Sequence, residues 1–86
     1  MPPFTKRFHI DQFGDFDFVF THIYAPGKDY VRVSVFDGKA KVCHFTMQPV
    51  LHYWMIADAY DLPIWMGGIE IELEKAIKEH NFSAAK

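Results

Sequence analysis

YVRVSVFDGKAKVCHFTM, residues Tyr30–Met47, is the stretch whose reading decides the fold. Two runs rich in β-branched and aromatic side chains, Tyr30–Phe36 and Lys39–Met47, flank Asp37-Gly38, a pair suited to a two-residue turn with positive φ at both central positions. The spacing predicts a β-hairpin in which Phe36 faces Lys39, Ser34 faces Lys41, Arg32 faces Cys43 and Tyr30 faces Phe45. Because side chains alternate along a strand, this register sorts the hairpin into two faces. One carries Val31, Val33, Val35, Ala40 and Val42, with His44 and Thr46 toward its end. The other carries Tyr30, Arg32, Ser34, Phe36, Lys39, Lys41, Cys43, Phe45 and Met47, a mixture of rings and positive charge.

Upstream, Phe4–Ile10 alternates with Phe4, Phe8 and Ile10 on one side and reads as a first strand. Asp11–Asp15 has turn composition, and Phe16–Tyr24 alternates again, with Phe16, Phe18, Phe20, His22 and Tyr24 on one side and Asp17, Val19, Thr21 and Ile23 on the other. Ala25–Asp29 contains Pro26-Gly27, suited to the centre of a type II turn, and is read as a five-residue loop that sets Tyr24 opposite Tyr30. His22 then faces Arg32 and Phe20 faces Ser34, so the aromatic sides of the two strands merge. The aliphatic sides merge too, which predicts a four-stranded antiparallel meander.

Downstream the pattern changes. Gln48-Pro49 is read as a helix start, with a buried helix over Val50–Tyr60 that is apolar nearly all round. Asp61-Leu62-Pro63 reads as a turn or N-cap, and Gly67-Gly68 disfavours helix between it and the next segment. Ile69–His80 is amphipathic, with Ile69, Leu73, Ala76 and Ile77 in one stripe and Ile71 outside it. Glu74 with Lys78 and Lys75 with Glu79 are helix-spaced ion pairs.

The expected fold is therefore a single α+β domain over residues 1–86, with the sheet over about 4–47 and the helical part over about 49–81, in the order β-β-β-β-α-α. Four strands spaced by about 4.8 Å make a sheet that two helices, about 10 Å apart, cover on one face. The aliphatic face is their expected bed, leaving the aromatic face open.

Bulk properties exclude several classes. Half the residues are hydrophobic, which argues against disorder, and the formal net charge of −2 argues against generic adhesion to nucleic acid or anionic membrane. A single cysteine, Cys43, permits no internal disulfide and fits a reducing cytoplasm. No segment approaches about 18 consecutive apolar residues, so no membrane association is expected.

No motif compels one chemistry. Cys43 and His44 are adjacent but point to opposite faces of a strand, and the expected register leaves Cys43 and His22 about 9–10 Å apart with Arg32 between, too far for direct proton transfer. Asp11, Asp15 and Asp17 lack the ligand spacing of a calcium loop, and His9, His22, His44, His52 and His80 lack metal-ligand spacing. Glu70, Glu72, Glu74 and Glu79 read as a solvated helix face, and Gly67-Gly68 lacks the further residues of a phosphate loop. No catalytic residue, metal site or cofactor is assigned.

The aromatic face carries the functional expectation: Phe18, Phe20, His22, Tyr30, Arg32, Phe36, Lys39, Lys41 and Phe45 as a partner-binding surface. The expected function is a small non-catalytic interaction module, of adaptor or inhibitor type, that homodimerises or docks a partner protein through these rings. The first alternative is single-stranded nucleic-acid binding, with rings stacking on bases and cations on phosphates. The second is a small enzyme of unassigned chemistry.

Overall fold

Four tight turns organise the chain: the first two are shorter than expected, the third keeps its two-residue length one position later, and the fourth stands where a helix is expected. A computed structural model describes residues 3–58 and 62–80. The strands are β1 (Phe4–Ile10), β2 (Gly14–Ala25), β3 (Lys28–Asp37), β4 (Ala40–Val50) and β5 (Tyr53–Ala57), all antiparallel in the order β1-β2-β3-β4-β5. A 3-10 turn at Met66–Ile69 leads into one helix, α1 (Glu70–Glu79). The sheet curls into a half-barrel, and α1 lies across its concave side, reaching β5 through Glu74 and β1 through Glu79.

This corrects the expectation of four strands and two helices. The helix expected over Val50–Tyr60 is instead the end of β4, a Leu51-His52 turn and β5. Residues 59–61, including Ala59, Tyr60 and the Asp61 of the expected N-cap, lie outside the described residues. An all-apolar run has no periodicity that separates a buried helix from a strand, and here alternation decides: Trp54 is buried, Ile56 half-buried, and Tyr53 and Met55 exposed. The turn itself holds Leu51 at φ 59, a left-handed conformation that costs a non-glycine residue about 1 kcal/mol and that no sequence signal announces.

Both hairpin registers also differ from the expected ones. Ala25 pairs with Lys28 across a two-residue Pro26-Gly27 turn, with Gly27 at φ 74, so Tyr24 faces Asp29, His22 faces Val31 and Phe20 faces Val33. In the next hairpin the turn is Gly38-Lys39, with Gly38 at φ 63, and Phe36 faces Lys41. That alone would have preserved the sorting of faces. Between Val35 and Phe36, however, the register shifts, because Val42 is an extra residue on β4, and beyond it Val35 faces Cys43, Val33 faces Phe45 and Val31 faces Met47. A one-residue change exchanges the faces of everything that follows.

The concave face therefore joins rings and aliphatics that had been assigned to opposite sides. Phe18, Phe20, Val31, Val33, Val35, Phe45 and Met47 form the core with Trp54, Met66 and the α1 stripe of Leu73, Ala76 and Ile77. Each fully buried Phe or Leu contributes roughly 2–3 kcal/mol of apolar transfer, so this layer dominates the stability. Helix α1 agrees with its expected boundaries to within a residue at each end, Ile71 lies exposed off the stripe, and Glu74 and Lys78 form the expected pair at 3.3 Å. Glu79 reaches across to Lys6 at 3.3 Å.

Candidate interaction surface

The nine residues expected to share one open face are divided between two. Phe18 and Phe20 are 0% exposed, Phe45 1% and His22 7%, all beneath α1 on the concave side or at its edge. Tyr30 and Phe36 are half-buried and Arg32 exposed on the outer face, while Lys39 sits in the β3–β4 turn and Lys41 beside it, both exposed. The open aromatic platform is thereby dismantled, because three of its rings are core. A nucleic-acid surface built on stacking at Phe18, Phe20 and Phe45 loses those rings with it.

Buried His22 is held by the register. Its Nε2–H donates to Oδ1 of Asp29, and its ring lies 4.2 Å from that of Tyr24, which faces Asp29 across the ladder. Cys43 is buried opposite Val35, while His44 is exposed on the outer side, so the two do point apart as expected. Cys43 and His22 do not share a cross-strand row: Cys43 continues through Val35 to Phe18, and His22 through Val31 to Met47. Burial pushes the Cys43 thiol up, away from the thiolate that a nucleophile needs.

The aspartates near the first turn are engaged in pairs. Arg7 and Asp17 face each other across β1 and β2, with Nε donating to Oδ1 at 2.9 Å and Nη2 to Oδ2 at 3.4 Å. The guanidinium holds the Asp17 carboxyl below its ordinary range, and the carboxylate raises Arg7 in turn. His9 sits 2.7 Å from Asp15 and 3.8 Å from Asp11. Among the described residues no cluster of three or more His, Cys, Asp or Glu side chains is arranged to hold a metal.

The outer face of the sheet has no described element over it. It carries half-buried Val19, Ile23, Tyr30 and Phe36, with Val42, 40% exposed, and Met55, 46% exposed; the polar row Thr21–Arg32–Thr46 crosses the face between Val19 and the Ile23–Tyr30 pair. On either side of Arg32 lie two shallow depressions of about 490 and 670 Å³, which share Arg32, Thr46 and Asp58 in their walls. The smaller runs along six consecutive β4 residues, Lys41–Thr46, where β5 has ended.

Sequence reasoning missed two features. Trp65 stacks on Phe16 at 4.9 Å and lies 6.3 Å from Phe13, closing the end of the concave groove by the first turn. Glu74 and Glu70 accept hydrogen bonds from the backbone amides of Trp54 at 3.0 Å and Ile56 at 2.9 Å, so the free edge of β5 is met by helix carboxylates. The i, i+4 spacing of those glutamates is plain in the sequence, but their partners are not, because the segment that forms β5 reads there as helix.

Among the described residues no helix is long and apolar enough to cross a membrane. Comparison with protein-family models, with curated proteins and with solved structures gave no match.

Proposed function

We propose that the protein is a non-catalytic interaction module that self-associates through the outer face of its sheet. The observation that carries this reading is the set of apolar side chains on that face, Val19, Ile23, Tyr30 and Phe36 with exposed Val42 and Met55, set on both sides of the polar Thr21–Arg32–Thr46 row and without a described element above. A second copy of the chain is the occupant favoured by the charge pattern. A two-fold axis between two such sheets, parallel to the strands, sets the β1–β2 turn of one copy, with Asp11 and Asp15, over the β3–β4 turn of the other, with Lys39 and Lys41. Five strands span roughly 20 Å, and with roughly 25 Å along them the face projects on the order of 500 Å². Side-chain relief brings that into the range of weak to standard interfaces.

The buried, unpaired-by-disulfide thiol of Cys43 supports a reducing compartment such as the cytoplasm. Phe36→Asp tests the function directly. Light scattering across the micromolar range should give a dimer for the unaltered chain and a monomer for the variant, with both melting cooperatively. A monomer for both, or a Phe36→Asp chain that fails to fold, rejects the outer face as the association surface.

A further inference from the structure

We infer that the groove along Lys41–Phe45 accepts an extended acidic peptide segment as an added strand in line with β5. Strand β5 pairs only with Thr46–Val50, and its last rung is Ala57 with Thr46. Among the described residues no strand pairs with the outer edge of Lys41–Phe45, and the depression there is walled by that continuous run. A wall of consecutive residues from one strand is the geometry of an open edge, where backbone donors and acceptors supply affinity and alternate side chains supply selectivity.

The rest of the same edge is treated differently. Where β5 forms it, the Trp54 and Ile56 amides are already taken by Glu74 and Glu70. Carboxylates thus occupy the β5 amides as a neighbouring strand's carbonyls would, and strand addition is confined to the β4 stretch.

Charge selects the occupant. Arg32 and Lys41 line the groove and are in no ion pair among the described residues. Asp58, at the β5 end, is the groove's one acidic side chain among its described walls. An occupant with Glu or Asp toward the Lys41 end and a neutral residue beside Asp58 fits this distribution. The inference deepens the interaction-module reading by naming a partner, but it uses the sheet edge and does not require the dimer.

The test uses the full chain and a fluorescein-labelled nine-residue peptide alternating Glu with Val, followed by anisotropy, with the protein's mass read in the same samples. Binding should weaken by about tenfold when Glu is replaced by Lys, and again when alternate peptide amides are N-methylated, which spares charge but removes ladder donors. The Arg32→Glu, Lys41→Glu protein should reverse the preference and take the Lys peptide. Amide shifts should centre on Lys41–Phe45. Absence of binding, indifference to N-methylation, or shifts centred elsewhere overturns the proposal, whatever the oligomeric mass.

Discussion

At the scale of single residues, charge pairs and buried groups give opposite responses to pH. Asp17 has its carboxyl held below the ordinary value of 3.8 by Arg7. A depressed folded-state carboxyl contributes stability that is present above the unfolded value and is lost as pH falls through the folded one. Asp17→Asn should therefore lower stability modestly at pH 7, as exposed pairs do, and the difference from the unaltered chain should shrink as pH drops below about 4. Urea unfolding at pH 7 and pH 2.5 measures it; an undiminished difference at the lower pH would mean that packing rather than charge carries the effect. Cys43 is raised by burial, so the folded chain favours its neutral thiol. Native protein at pH 8 should react with a thiol reagent orders of magnitude more slowly than urea-unfolded protein, and comparable rates would contradict the buried placement opposite Val35.

At the scale of elements, the link between α1 and β5 is the most specific. Glu70 and Glu74 satisfy two edge amides and pin the helix at the same time. Replacing both with Ala should cost about 1–3 kcal/mol and speed hydrogen exchange at the Trp54 and Ile56 amides above all others in the sheet. Uniform acceleration would instead indicate general destabilisation. Local structure was legible wherever period and turn chemistry agreed. The alternation of β1, β2 and β3, the presence of turns at Pro26-Gly27 and Gly38, and the stripe Leu73, Ala76, Ile77 are readable, whereas the sorting of β4 breaks at Val42, which leaves Lys41 on the outer side and Cys43 on the concave one. What failed was parity between strands, which rests on single residues: a two-residue turn at Pro26-Gly27 where a longer loop was expected, and the extra Val42. Pro26-Gly27 marks a turn without fixing the length of the loop around it, and Val42 leaves no compositional trace, since it suits a regular strand as well as a bulge. β5 was hidden for a different reason, because its Trp, Met and Ile are at home in either kind of buried element.

At the scale of the molecule, those two events decide which surface is left for partners. With the expected parity the rings would be open and the valines covered; with the observed one, rings and valines lie together under α1, and the outer face keeps Val19, Ile23, Tyr30 and Phe36 on both sides of the polar Thr21–Arg32–Thr46 row. A single helix covers only one side of a sheet, so among the described residues the five-stranded meander has α1 on its concave side and no element on the other. Of the nine residues expected on one open face, Tyr30, Arg32, Phe36, Lys39 and Lys41 are accessible to differing degrees, whereas Phe18, Phe20, His22 and Phe45 are buried, because the register that sorts them depends on the turn length and the bulge. The most direct measurement is isotope-filtered NMR on a mixture of labelled and unlabelled chains. Contacts between copies should appear among Val19, Ile23, Tyr30 and Phe36; a strictly monomeric sample, or contacts confined to other parts of the surface, would contradict self-association through the outer face.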